Sequence, residues 1–320
     1  MYAPGVQHVT KHACRRVDRP AAGAMTGLNH GRRSSADGTI DAERIARIVR
    51  EVHAVCPEFD TDAFVASVPA DLPRLELSAR IARTSQGLRD RLPVTGPDAL
   101  DIPLRSLPPT PAATAVTNDF GLHLYSPRSD YVSRYLRTAE HLERSLAAPT
   151  RTTGYFSVEL PVRHFLADFP DETMKAVDAW SRDEGFRVRR LASEATRLPL
   201  PWAPLPWAPL PWAPRIALPA DAGLPVLKTL NDDLHRYVRT YVANHMGDVA
   251  ATQPDLAPAT LQRWRASGRV TGEQFAILAR DALSNRLKEG WPPAHAALLG
   301  YVQDRRWPSC AAPPPSRARS

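Results

Sequence analysis

The chain has 320 residues, 43% hydrophobic and 23% charged, enough to bury a sizeable core. Its formal net charge of +7 and isoelectric point of about 9.6 suit a polyanionic partner such as nucleic acid, though a merely soluble basic protein has the same balance. Cys14, Cys56 and Cys310 form no C-x-x-C pair, which excludes a disulfide framework and the common zinc patterns; no run reaches the ~18 apolar residues of a membrane helix.

Residues 1–38 mix Gly, Ala, Arg, Ser and His without apolar periodicity and read as a disordered basic tail, with no apolar core of a signal peptide. Residues 39–102 read as an N-terminal helical subdomain. Ile45, Ile48, Val49 and Val52 fall at i, i+3, i+4 and i+7, one face of a helix, and Leu77, Ile81, Leu88 and Leu92 mark a second. The stretch 103–128, with Pro103, Pro108, Pro109 and Pro111, reads as a linker. A third helix is expected along Val132, Tyr135, Leu136, Ala139, Leu142 and Leu146, with Ser129 and Asp130 as its N-cap. Clear strand alternation is missing throughout.

The region 129–304 carries a repeat. The heptapeptide from Val188 to Glu194 aligns with Val238 to Asn244 fifty residues on, and more weakly with Ala279 to Asn285 after another 41. Between the first two copies the pentapeptide Pro-Leu-Pro-Trp-Ala is written three times, from Pro199 to Ala213. Its prolines forbid a helix, and it reads as a duplication in an extended surface loop. Without two of the three copies the spacing becomes about forty, the period of paired helices in HEAT or armadillo arrays. The fold expected is therefore all-α, a HEAT-like (armadillo-type) helical repeat solenoid with disordered termini, the second being residues 305–320.

Charge concentrates on the first copy. On a helix Arg187, Arg190 and Arg197 fall within about 60° of Glu194, one carboxylate in a field of three guanidiniums. On a solvated face this is an ordinary Arg190–Glu194 pair, about 0.3–0.5 kcal/mol. On a concave face it is an anion site whose carboxylate stays ionised. There is no phosphate-binding G-x-x-x-x-G-K-S/T loop, no G-x-S-x-G elbow and no H-E-x-x-H.

The run from Phe186 to Arg197, followed by Leu-Pro-Trp-Ala, resembles the signature of the DNA alkylation repair family typified by AlkC and, more distantly, AlkD. Phe156 to Leu166, Tyr237 to Asp248 and Ala294 to Tyr301 resemble further segments of that family, so the likeness spans about residues 40–301. It implies a DNA glycosylase with Glu159 and Glu194 as catalytic carboxylates. Arg197 would anchor DNA near the lesion. Trp202, or Trp212 when counted from the far side of the triplication, would face the damaged nucleotide, with Asn244 and Asp248 completing the pocket. Arg187, Arg189, Arg190, Arg236 and Arg239 would contact phosphates; each is equally readable as a surface charge, and Asn244 with Asp248 as a surface pair. Members of the family act without rotating the damaged nucleotide into a deep pocket, so neither metal nor cofactor is expected.

The expected partner is double-stranded DNA containing alkylated bases, met by a monomer in the cytoplasm, on the nucleoid, away from membranes. Pro161, two residues after Glu159, departs from the family pattern at the start of that helix. The additional β-domain of longer members is not expected after Tyr301. A non-catalytic repeat module binding DNA or another acidic partner through the same arginines is the rival reading.

Overall fold

Asp41 opens the first helix by accepting the backbone N–H of Arg44 at 2.9 Å, with Glu43 in the first turn and Arg50 and His53 in the last, each charge complementing the helix dipole. The structure, a computed structural model, describes residues 40–110, 123–197, 216, 218–269 and 272–302. The expected tails 1–38 and 305–320, residues 111–122 of the proline-rich stretch, and the pentapeptide run with Trp202 and Trp212 lie outside the described residues.

Within them the regular elements are helices and no strand is formed. In chain order they are α1 (Ala42–His53), α2 (Thr61–Asp71), α3 (Leu77–Arg91), α4 (Pro97–Arg105), α5 (Ser126–Tyr135), α6 (Leu142–Leu146), α7 (Ala148–Thr152) and α8 (Glu159–Asp168). There follow α9 (Pro170–Trp180), α10 (Phe186–Ala195), α11 (Leu224–Leu230), α12 (Arg236–Thr252), α13 (Leu256–Ala266), α14 (Gly272–Ala282), α15 (Ser284–Lys288) and α16 (Pro292–Val302).

Apolar spacing placed two of these well. Ile45, Ile48, Val49 and Val52 of α1 are all buried, and along α3 Leu88 is buried while Leu77 and Ile81 are half-buried against the same core. The third expectation needs correction. Ser129 and Asp130 lie inside α5 and cap nothing; the helix starts at Ser126, with Pro127 in its first turn, where the missing N–H costs no hydrogen bond. It stops at Tyr135, and the apolar residues beyond belong to a 3₁₀ turn over Ala139–His141 and to α6.

The helices pack as two rows. α3, α5, α8, α10, α12 and α14 lie successively side by side, and α2, α9, α11 and α13 pack behind them, making an all-α helical repeat. One continuous core runs through both rows, from Ile40 and Phe64 through Phe165 and Leu191 to Leu278. Cys56, in the turn after α1, is a free and buried thiol. On α3, Gly87 sits so close to α2 that a Cβ there would lie 2.5 Å from Val68 Cγ2 and 2.8 Å from Phe64 Cε2.

The repeat is structural where its first two copies are concerned. In both, an aspartate caps the turn before the helix, Asp183 accepting from the Gly185 N–H and Asp233 from the His235 N–H, each at 2.7 Å. In both, an arginine three or four residues into the helix binds that turn's carbonyls, Arg189 those of Asp183 and Glu184, Arg239 those of Asp233 and Leu234. The weaker third copy does not share this register, because Ala279 to Asn285 runs off the end of α14 whereas Val188 and Val238 lie near the start of their helices. No helix among the described residues is long and apolar enough to cross a membrane.

Candidate functional site

Three neighbouring helices of the front row, α8, α10 and α12, bring their acidic residues together. Glu159 is the first residue of α8, so Pro161 falls in the first turn and leaves the start of that helix in place. Glu194 is the second-to-last residue of α10, and Asp248 lies in the last half of α12. Glu159 and Glu194 are buried, 2% and 3% exposed, and a buried carboxylate survives as an anion only with partners.

The partners are arginines. Arg190, one turn before Glu194 on α10, pairs across to Glu159 on α8. Arg197, just past the end of α10, places Nη1 at 3.0 and 2.9 Å from the two oxygens of Glu194, and its Nε donates to Asp248 at 2.6 Å. Arg163, one turn along α8 from Glu159, donates to the carbonyl of Arg197 at 2.6 Å and so fixes the loop that carries that guanidinium. Each helix thus supplies a charge and holds a neighbour's.

Burial and charge pull the ionisations in opposite directions. Loss of solvent pushes the Glu194 carboxyl up, to about 7, helped by the nearby Glu159 and opposed by Arg197 and Arg190. Asp248 is raised by the same burial and pulled back by Arg197. Arg163 has been driven down to about 10 by desolvation, still far above neutrality. Behind the cluster His245 is fully enclosed; its Nδ1 donates to the Ser193 carbonyl at 2.8 Å, and burial lowers its pKa to about 3, so the ring is neutral.

The expected roles of the arginines divide. Arg190 and Arg197 are 5% and 6% exposed and engaged with carboxylates, which corrects the expectation that they present guanidiniums to phosphates. The Arg190–Glu194 pair drawn from helical spacing is replaced by Arg190–Glu159 and Arg197–Glu194. Arg189 clamps its own turn and bonds Asp233 of the next copy at 2.5 and 3.2 Å, and Arg239 holds the equivalent turn; both serve the repeat rather than a free surface. Arg236 is exposed, and Arg187 is partly so, lying over the Phe186 ring at 5.0 Å. Asn244, the counterpart of Glu194 in the second copy, is exposed, while Asp248 joins the buried cluster.

Sequence reasoning missed Arg163 and His245. The first was legible as the arginine inside the family-like segment Phe156 to Leu166; the second had no local signal. An aromatic series, in which the family likeness already set Tyr237 and Tyr241 near Asn244 and Asp248, lies beside the carboxylates. Phe186 and His235 stack at 4.0 Å with rings parallel to within 2°, Tyr237 meets both edge-on, and Tyr237 and Tyr241 lie 4.9 Å apart.

Comparison with known proteins follows this geometry. The structure resembles that of the Pseudomonas fluorescens alkylpurine DNA glycosylase AlkC bound to DNA containing an abasic site analog, with a TM-score of 0.69 and 28% identity over 83% of this chain and 68% of that one. In fold and sequence the chain is similar to the AlkC/AlkD-like family. It is also 30% identical over 262 residues to the uncharacterized protein YhaZ of Bacillus subtilis (strain 168), a match covering 81% of this chain and 66%, just under two thirds, of that relative. No family model matches the chain.

Proposed function

We propose that this AlkC/AlkD-like protein is a monofunctional DNA glycosylase that releases cationic N3-methylated bases, such as 3-methyladenine or 3-methylcytosine, from alkylated double-stranded DNA. The observation that supports it most is the pair of buried carboxylates, Glu159 and Glu194, set on adjacent helices and each held by an arginine. The likeness to AlkC supplies the substrate class.

A methylated base carries positive charge. When the N-glycosidic bond breaks, its electron pair leaves with the base nitrogen and neutralises that charge. The sugar is left as an oxocarbenium cation at C1′. An ionised carboxylate lowers the energy of this cation and orients the water that adds to C1′, taking up the proton the water loses. The products are the free base and an abasic deoxyribose. No other catalytic group is required of the protein. Holding Glu159 and Glu194 in fixed positions before reaction means no reorganisation accompanies charge development, which is where most of such catalysis arises.

Methylated duplex DNA incubated with the full chain, with released bases separated by chromatography, tests this reading. Release is expected from the parent and a loss of roughly a hundredfold or more from Glu159→Gln or Glu194→Gln. Thermal melting of each variant separates lost chemistry from lost folding, since each substitution leaves a buried arginine without its anion.

One observation favours the non-catalytic module. With 2–3% exposure, both glutamates are paired with arginine in the free protein, as in a purely structural ion-pair network. Salt-sensitive duplex binding without base release would establish that reading instead.

A further inference from the structure

Resting on the glycosylase reading, we propose that Arg190 is a positioning residue that aims Glu159 from inside the fold, with Tyr241 as the platform that aims Arg190. Arg190 makes no phosphate contact.

The placement of the guanidinium carries this. It is 5% exposed, and its Nη1 meets Glu159 Oε1 on the neighbouring helix. The guanidinium also lies over the ring of Tyr241, one helix further along, with its carbon 4.2 Å from the ring centroid. Tyr241 is in turn held by Tyr237, whose ring packs against it edge-on at 4.9 Å. The chain Tyr237–Tyr241–Arg190–Glu159 therefore crosses α12, α10 and α8 in one line. The charge of Glu194, one turn further along α10, acts on Arg190 as well, so this one cation feels both carboxylates.

A phosphate-binding arginine turns its fork of donors towards solvent. Here the guanidinium meets an aromatic ring and a carboxylate instead. The arrangement needs a plane that can lie over a ring and still present a donor edge, which arginine has and lysine lacks. Without it Glu159 retains its burial and loses the partner that fixes its direction, and a displacement of about 1 Å at a reacting group can cost about a hundredfold in rate.

Arg190→Lys, Arg190→Met and Tyr241→Leu in the full chain test the assignment, each checked for folding by its melting curve. Two readouts are compared: single-turnover base release at saturating protein, and affinity for duplex bearing an abasic-site analogue across a salt series. The expected result is release slowed at least about tenfold in all three, with affinity within about twofold of the parent and an unaltered slope of log K on log salt. Tyr241→Leu keeps both charges of the ion pair, so it reports on aim even where the arginine variants unfold. A salt slope reduced by about one in Arg190→Met, with affinity falling in step, identifies a phosphate contact and overturns the proposal. So does full turnover in Arg190→Met or Tyr241→Leu. A parent chain that releases no base overturns the glycosylase reading itself, and with it any role in that reaction for Arg190.

Discussion

Glu194 illustrates how a single side chain is set by competing terms. Its carboxylate is bonded to Arg197 and feels the charge of Arg190, yet removal from water outweighs both and raises its pKa to about 7. The sign of the consequence follows. Because the folded pKa lies above the unfolded value, the proton is held more tightly in the fold; the group contributes its stability at pH below about 4.5 and loses it as pH rises towards 7. The catalytic form is the ionised one, so stability is given up for charge in the range where the enzyme would act. Single-turnover release is therefore expected to climb with pH through about 7 and to level off above it, with the pH dependence removed along with most of the rate in Glu194→Gln. A rate independent of pH between about 5.5 and 8.5 would contradict an essential Glu194 carboxylate with this ionisation.

At the scale of elements, the contact between α2 and α3 gives the sharpest test. Alanine normally improves a helix interior by about 1 kcal/mol over glycine. At Gly87 the added carbon would meet Val68 and Phe64 well inside contact distance, and both are buried, so neither moves freely. Gly87→Ala is expected to destabilise by about 1–3 kcal/mol, seen as a lower urea midpoint; an unchanged or raised midpoint would show that the two helices can part at little cost. Elements also differed in how readable they were. α1 and α3 announced themselves because an amphipathic spacing is local. The reading failed at α5, where Pro127 and not the polar pair Ser129 and Asp130 marks the start, and where apolar residues belonging to a turn and to α6 continued the period by coincidence. In the site, both glutamates and Arg197 were legible from the family-like segments. Their pairing was not, since helical spacing offers Arg190 to Glu194, whereas the partner it takes, Glu159, is on another helix. Tertiary packing decides such choices, and it also buries Glu194 while leaving its repeat counterpart Asn244 exposed.

Over the whole molecule, the described helices on either side of the stretch 103–128 share one core, since α3 packs on α5. A buried ion pair reinforces the junction: Arg128 of α5, with a fully buried side chain, reaches Glu51 of α1 at 2.6 Å and Ser106 at 3.0 Å, while Tyr125 donates to the same glutamate at 3.3 Å. Glu51→Gln strands that cation, and a loss of roughly 3–5 kcal/mol is expected. The seven tryptophans lie at or beyond Trp180, so their fluorescence reports on the second half of the chain alone. If the halves fold as one, unfolding of Glu51→Gln followed by that fluorescence shifts together with the loss of helix in circular dichroism. Two separated midpoints would show that the front of the molecule melts by itself. The Arg189–Asp233 bond plays the corresponding part further along, joining successive copies of the repeat.

The enclosed thiol after α1 has a bearing on survival. Methylating reagents that damage DNA react readily with thiolates, and a protein with the proposed activity would meet them. Cys56 is 4% exposed, and burial, aided by the negative charge of Glu58, raises its pKa and keeps the sulfur protonated. That cysteine is thereby a poor nucleophile and a hidden one, so a dose of reagent that methylates DNA is expected to spare it.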